Sequence, residues 1–309
     1  MGTNSRIEWT DHTLNFWQGC RPVSEGCANC YMYRDKRRYG QDPAKVVRSK
    51  DATFKAARKW KTPARVFVCS WSDFFIEEAD EWRAEAWEEI RKYPHLTWMI
   101  LTKRPQNILN RLPSDWGNGW PNVFLGVTAE NQEQADKRIP ILLQIPAAVR
   151  FVSVEPMLSN INIVPYIGHN AYKCGCGWHD TENTLFISGY DKCIDGPEVA
   201  VCKNCEKRAE IYRALDWVIC GGESGPGARP MHPDWVRSLR DQCQAAGVPF
   251  LFKQWGEWKG NYPGDTWEPT SNMKFHYFER PNPPGKVWQC GKKKAGRLLD
   301  GKEYNEFPQ

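Results

Sequence analysis

The chain has 309 residues, 41% of them hydrophobic, and carries a formal net charge of +5. This length suits one large α/β barrel or two ordinary domains, and the mild positive charge permits a nucleic-acid partner without demanding one. No apolar run approaches the roughly 20 residues of a membrane helix, which argues against a membrane partner. The N-terminus lacks the patterns of a signal peptide or of myristoylation, so we expect a cytoplasmic protein.

Short apolar runs rich in β-branched and aromatic residues recur along the chain and predict buried parallel strands. The first is expected at 14–17, just before the first cysteine. Amphipathic patterns at 80–92, 130–144 and 233–246 predict helices between strands, and this alternation indicates βαβ units. We therefore expect an α/β fold, a partial TIM-like (β/α)6–7 barrel. Its further predicted strands are Arg65–Ser70, Leu96–Thr102, Asn122–Thr128, Val149–Val154, Trp217–Gly221 and Val248–Phe252.

The predicted strands follow one another at similar intervals, except for a long gap between those at 149–154 and 217–221. A cysteine-rich stretch lies in this gap and indicates an insertion in one βα loop. The C-terminal part is rich in Gly, Pro and Lys and is weakly periodic, as expected of an extension packed on the barrel and partly formed by loops. The predicted organisation is barrel at 1–167 and 210–255, insertion at 168–209 and extension at 256–309.

Polar residues follow nearly every predicted strand. In a β/α barrel these positions share the carboxyl-terminal face, where active sites are built. The alternative is that each one caps a helix or hydrates a loop. The residues are Ser70 and Asp73; Thr102, Lys103 and Arg104; Thr128 and Glu130; Ser153 and Glu155; Gly221, Gly222 and Glu223; Lys253 and Gln254.

Three of the twelve cysteines, Cys20, Cys27 and Cys30, lie in a Gly/Pro-containing loop after the first apolar run. In a reducing compartment such clustering indicates metal binding rather than disulfides. Three thiolates can ligate three irons of a [4Fe–4S] cluster and leave the fourth iron open for S-adenosylmethionine (SAM). The alternatives are a zinc site completed by His12 and buried cysteines without a ligand.

With its neighbouring motifs, this loop resembles the phage-associated three-Cys-motif family, a radical-SAM-like group long described only as phage proteins or as a domain of unknown function. The resemblance covers about residues 5–256 apart from the insertion. Its motifs are Ile7–Asp11, Gly19–Tyr31, Ser70–Asp73, Leu101–Pro105, Gly126–Asn131, Ser153–Pro156, Gly221–Gly225 and Lys253–Gly256.

The resemblance implies a partial barrel of the radical-SAM type, with the cluster loop after the first strand and SAM as cosubstrate. It also implies an external electron donor of the flavodoxin or ferredoxin type. For SAM binding it points to Ser70, Ser72 and Asp73 after the second strand, to Lys103 for the carboxylate and to Glu155 for the amino or ribose groups. Further positions are Glu130 and the turn Gly221, Gly222 and Glu223, which here follows a late strand. A salt bridge between Lys103 and Glu155 is the alternative for that pair.

The insertion carries two close cysteine pairs that suit a tetrahedral zinc site in a ribbon-like segment. The expected ligands are Cys174, Cys176, Cys202 and Cys205, and Cys193 or His179 could replace one of them. An auxiliary iron–sulfur cluster and a metal-free segment remain alternatives.

The sequence does not dictate the substrate, but two hints favour a nucleobase, and we expect a thymine-derived base of phage DNA. One is the phage association of the family. The other is two basic runs, at 34–39 with the aromatic Tyr39 and at 292–297, which could bind phosphates or simply be solvated. A base in duplex DNA would have to be flipped into the barrel. The rival hypotheses are radical chemistry on a peptide or small metabolite, and a non-catalytic, metal-containing nucleic-acid-binding protein.

Overall fold

The computed structural model describes residues 5, 7–168, 171–173, 179–181, 200–201, 208–212, 214–260, 267–279 and 285–309, with the backbone alone for the four short stretches between 171 and 212. Its strands are β1 (His12–Leu14), β2 (Trp17–Gln18), β3 (Val47–Arg48), β4 (Ala64–Val68), β5 (Leu96–Thr102), β6 (Val123–Thr128), β7 (Val149–Val154), β8 (Ala171–Lys173), β9 (His179–Thr181), β10 (Ala200–Val201), β11 (Arg208–Tyr212), β12 (Trp217–Gly221), β13 (Phe250–Gln254), β14 (Trp258–Gly260), β15 (Phe275–Phe278) and β16 (Gly285–Gln289). Its α-helices are α1 (Tyr31–Arg38), α2 (Asp51–Phe54), α3 (Asp80–Arg91), α4 (Gln132–Leu143), α5 (Pro233–Ala245) and α6 (Lys292–Ala295).

Seven parallel strands form a curled sheet in the order β1-β4-β5-β6-β7-β12-β13, with β1 and β13 at its edges. The sheet makes a half-barrel, so the predicted α/β partial barrel is confirmed at that level. The central strands are buried on both faces: every residue of β7 and of β12 is buried, as expected for parallel strands covered by helices.

The predicted strands are recovered closely, except for the first. The sequence predicted it at 14–17, but β1 spans His12–Leu14 and pairs with β4. Trp17 and Gln18 instead form β2, which pairs antiparallel with β3. The apolar run that continues through Phe16 and Trp17 packs into the main core rather than extending the parallel strand.

β7 and β12 are direct neighbours in the sheet, so the chain between them leaves the half-barrel and returns at the next position. Within this excursion β8–β11 form a separate four-stranded antiparallel sheet. The expected ligands Cys174, Cys176, Cys202 and Cys205, and Cys193, lie outside the described residues, so the metal-binding insertion stays a prediction.

The C-terminal extension contains more regular structure than its weak periodicity indicates. β14, β16 and β15 form a three-stranded antiparallel sheet, and α6 follows it. Of the helices that the structure describes, none combines the length and the apolar character needed to cross a bilayer.

Candidate active site

A cavity of about 720 Å³ opens at the carboxyl-terminal edge of the half-barrel. All three cysteines of the loop line it, together with side chains from the ends of six parallel strands. The predicted convergence of strand-end polar residues on one face is therefore confirmed for most of them. Those that line the cavity are Ser70, Ser72, Asp73, Thr102, Lys103, Arg104, Thr128, Ser153, Glu155, Gly222, Glu223 and Lys253.

An aromatic cluster fills the barrel interior next to this cavity. Trp9 packs against Trp217 with ring centroids 6.4 Å apart and against Phe67 at 4.7 Å. Trp9 and Phe67 also line the cavity, so the cluster closes one side of it with apolar surface. This arrangement gives a pocket with a polar rim and an apolar wall, which is typical of small-molecule sites.

The cysteine loop begins at a glycine that no other residue could replace without strain. Gly19 has φ +100, and a Cβ atom there would lie 2.2 Å from the carbonyl oxygen of Lys45. The Gly19 N–H donates to the Trp71 carbonyl at 3.0 Å, and the Cys20 N–H donates to the Pro43 carbonyl at 3.0 Å. The loop is thus anchored at its start, beside the end of β4.

Further along, hydrogen bonds tie the same loop to the ends of β6 and β12. The Gly26 N–H donates to Glu130 at 3.2 Å, and the Asn29 side-chain amide donates to Glu223 at 2.9 Å. Each carboxylate is also paired with an arginine, Glu130 with Arg138 at 2.9 Å and Glu223 with Arg229 at 2.7 Å. The loop therefore spans the mouth of the half-barrel and is held from several strands at once.

These two glutamates are kept ionised by their partners. Burial is the strongest influence on the pKa of Glu130 and acts to raise it, but the charges of Arg138 and Lys103, together with hydrogen bonds, hold that pKa below its usual value. Glu223 follows the same logic: burial opposes ionisation, while hydrogen bonds from Arg229 and Asn29 hold its pKa low. Both carboxylates therefore serve as fixed acceptors for the loop.

The three cysteines are half-buried and unpaired. Burial raises the pKa of Cys20 to about 12, helped by the charge of Asp73 and opposed by Arg104, and burial also raises the pKa of Cys30. The Arg104 guanidinium lies 3.7 Å from Cys20 Sγ. Both groups are protonated thiols at neutral pH without a metal, and a bound metal would displace those protons.

The alternative of a zinc ion completed by His12 is contradicted by the structure. The His12 ring stacks on Trp60 at 4.3 Å, and β1 presents Thr13, not His12, to the cavity. Within the described residues, no group of three or more Cys, His, Asp or Glu side chains converges on a single-ion position. A cluster differs from a single ion in this respect, because each thiolate binds a different iron.

Asp73 was expected to bind SAM, but its carboxylate is already saturated. It accepts from the Thr102 hydroxyl at 2.7 Å, the Lys103 N–H at 2.9 Å and Arg104 at 3.2 Å, and from the Phe75 N–H at 3.0 Å. These four donors use the lone pairs that a carboxylate offers. Asp73 therefore positions the Lys103–Arg104 turn rather than a ligand.

One other expected SAM contact, Glu130, is corrected in the same way, whereas Gly221 and Gly222 stay predictions and Gly222 lines the cavity. Glu130 is fully buried, does not line the cavity and is paired with Arg138. Gly221 sits where the register between β12 and β13 shifts. A Cβ atom at Gly222 would lie 2.0 Å from the Trp255 carbonyl oxygen, so this glycine is required by the close approach of two loops.

Apart from the residues already described, the charged side chains that line the cavity are Lys103, Lys292 and the pair Glu155–Lys253. The expected alternative, a bridge between Lys103 and Glu155, is wrong, because Glu155 pairs with Lys253 at 2.6 Å. Over the part of the chain that the structure describes, the Lys103 ammonium has neither a hydrogen-bond nor an ion-pair partner, and its charge acts on Cys30 and Glu130.

Sequence reasoning missed Asn29 and Arg229 and did not assign Arg104 a partner. Asn29 and Glu223 are separated by 194 positions, and no periodicity connects them. The only signal was the position of Asn29 inside the Cys27–Cys30 pair.

Comparison with known proteins identifies the family of this chain but assigns it no activity. The family model described as a protein of unknown function, DUF5131, matches residues 4–308. Searches of curated proteins and of solved structures each found no match. Because the match spans almost the whole chain, this protein belongs to the DUF5131 family.

Proposed function

We propose that this protein is a radical SAM enzyme that holds a [4Fe–4S] cluster on Cys20, Cys27 and Cys30, as the resemblance to the phage three-Cys-motif family implies. We further propose that it modifies or rearranges a nucleobase substituent, which the phage association of that family and the basic runs of the sequence favour. The observation that carries the proposal is the placement of all three cysteines in one cavity at the carboxyl-terminal edge of a parallel half-barrel. Active sites of β/α barrels are built at this edge.

The donor set fits the cluster. It consists of three half-buried thiols on a loop braced by Glu130 and Glu223, and the cavity of about 720 Å³ beside them is large enough for a molecule of the size of SAM. When bound, a cluster with an open iron would pass one electron, supplied by a flavodoxin- or ferredoxin-type donor, to SAM, giving methionine and a 5′-deoxyadenosyl radical that abstracts a hydrogen atom from the substrate.

The chain's own residues would bind and orient the reactants. Lys103, which has no ion-pair partner among the described residues and whose charge acts on Cys30, suits the SAM carboxylate. Glu155, held by Lys253, suits the amino or ribose groups, and the hydroxyls of Ser70 and Ser72 line the same wall. Arg104, 3.7 Å from Cys20 Sγ, would stabilise the negative charge of its thiolate.

The test is EPR and metal analysis of anaerobically reconstituted protein, with and without SAM. We expect a reduced-cluster spectrum that shifts on SAM addition, and release of 5′-deoxyadenosine under reducing conditions. No 5′-deoxyadenosine above that of a Cys20→Ala/Cys27→Ala/Cys30→Ala variant would refute the enzymatic proposal. It would leave a non-catalytic, metal-containing protein as the interpretation.

Lys103→Met tests the SAM-binding role separately. A lost charge-assisted hydrogen bond in a partly buried site corresponds to roughly a tenfold loss of affinity or more. We expect KM for SAM in 5′-deoxyadenosine release to rise about that much, with a smaller change in kcat. Lys137→Met is the matched control, since Lys137 is exposed and pairs only with Glu133. Equal KM values for the two variants would contradict the assignment.

A further inference from the structure

The outer face of the C-terminal sheet carries aromatic rings and lysines in register. Phe275 of β15 lies opposite Trp288 of β16, and Tyr277 lies opposite Lys286. On the third strand, Lys259 of β14 is also opposite Trp288. Paired residues of neighbouring strands point to the same side of a sheet, so all five share one face.

This face is not needed to hold the sheet in place. The opposite side is the one that packs on the protein: Trp258 and Val287 are buried with Ala228, and Phe278 contacts the ring of His232 at 4.9 Å. On the outer side Phe275 is 56% and Tyr277 53% exposed. Single exposed aromatics are common on proteins, but here the rings stand side by side.

The lysines are placed among the rings. Lys286 Nζ lies 4.0 Å from the Phe275 ring centroid and 5.2 Å from that of Trp288. Lys286 is exposed, whereas Lys259 is buried at the base of the face, with its Nζ 5.9 Å from the ring of Trp267, which in turn contacts Trp288 at 6.3 Å. At the paired positions of this face that the structure describes, every charged residue is a lysine. The face therefore complements a ligand that is both aromatic and anionic.

We infer that this face binds single-stranded nucleic acid. Ring faces stack on bases of any sequence, and lysines between them neutralise phosphates. Phe275 and Tyr277 are two residues apart on one strand, about 6.5–7 Å, a spacing over which an extended single strand presents successive bases. Duplex DNA hides its base faces, so it cannot use these rings.

The sheet also adjoins the cavity along the chain. β14 begins soon after β13 ends, and Lys292, just beyond β16, lines the cavity. A strand bound on this face would thus lie near the site, already unpaired and needing no flipping from a duplex. That the bound single strand carries the substrate base rests on the proposed function. That the face binds single-stranded nucleic acid does not.

The two basic runs noted in the sequence, at 34–39 and 292–297, are less suited to bind nucleic acid than this face is. In the first, Lys36 is buried and burial lowers its pKa. In the second, Lys292 pairs with Glu8 at 3.6 Å and Arg297 with Glu303 at 3.9 Å.

The experiment is fluorescence anisotropy of a labelled oligothymidylate of about 15 nucleotides with the full chain, with a duplex of equal length as competitor. We expect saturable binding at about 50 mM salt that weakens towards about 200 mM. The duplex should compete poorly for the labelled single strand. Phe275→Ala/Tyr277→Ala should weaken binding about 25-fold or more, since each stacked ring contributes about fivefold or more. Lys286→Gln should lower the salt slope by about 0.7.

Leu109→Ala, which removes an equally exposed side chain elsewhere, is the matched control and should bind as the wild type does. Binding by the Cys20→Ala/Cys27→Ala/Cys30→Ala variant should also be unchanged, which separates this inference from the radical chemistry. The inference is overturned if no oligonucleotide binds at low salt, if duplex is preferred, or if neither Phe275→Ala/Tyr277→Ala nor Lys286→Gln weakens binding. An acidic protein partner would then be the better occupant.

Discussion

Replacing any one of Cys20, Cys27 and Cys30 by alanine is expected to reduce 5′-deoxyadenosine release by more than about 100-fold. Even outer partners of metal ligands are worth about 10- to 100-fold in metal affinity or activity, and loss of a ligand itself costs more. The three thiols belong to one loop. Among the residues that the structure describes, the one other cysteine that lines the cavity is Cys69, and its thiol already accepts hydrogen bonds from the Phe16 and Trp17 backbone.

Cys290→Ala is the matched control for this loss. Cys290 is half-buried like the loop cysteines but lies outside the cavity. It should retain iron content and release of 5′-deoxyadenosine near wild-type levels. If a loop variant kept its iron and its activity while Cys290→Ala lost both, the ligand assignment would be wrong. Circular dichroism of each variant separates cluster loss from unfolding.

Much of the half-barrel could be predicted because its strands are continuous apolar runs of the right length. Val149–Val154 is buried at every position, and such a run has few alternatives to a parallel strand. The first strand was misplaced because the apolar run at 14–17 contains both a strand end and core-packing aromatics. Only tertiary contact distinguishes them, since β1 pairs with β4 more than fifty residues away.

The position of the site could be predicted from the sequence, but the roles of the individual residues in it could not. Sequence places Thr128 and Glu130 together after β6, yet Thr128 lines the cavity and Glu130 turns away to Arg138. The choice depends on a guanidinium from the following helix, and no strand periodicity encodes it. Asp73 was predicted to bind SAM for a similar reason. Its hydrogen-bond donors Thr102 and Arg104 come from the end of another strand, and the sequence does not show that contact.

Glu130→Ala is the second change for which we expect a large effect. It would leave the Arg138 guanidinium, whose side chain is only 5% exposed, without its ion-pair partner. Removing one member of a buried ion pair costs about 3–5 kcal/mol, and the Gly26 N–H would lose its acceptor as well. We expect the free energy of unfolding to fall by about that amount in urea titrations, and the cysteine loop to loosen with loss of reconstituted iron.

Glu133→Ala on α4 is the matched control. Glu133 is exposed and pairs with Lys137 across one helical turn, a contact worth a few tenths of a kcal/mol, about 0.3–0.5. Similar losses of stability in the two variants would show that the Glu130–Arg138 pair does not brace the loop.

The same pair predicts how stability depends on pH. Because the folded pKa of Glu130 lies below its unfolded value of 4.5, its contribution is fully present above that value and is lost as pH falls through the folded pKa. On acidification from neutral pH to below 4.5, the free energy of unfolding of the wild type should therefore fall more than that of Glu130→Ala. The difference in free energy of unfolding between the two proteins should narrow. A difference that stayed constant down to acid pH would mean that the carboxyl group takes up protons equally in the folded and unfolded states, so that folding does not stabilise its ionised form. In that case Arg138 would be held by the Thr128 carbonyl, to which it donates at 2.7 Å, and the loop by its remaining contacts.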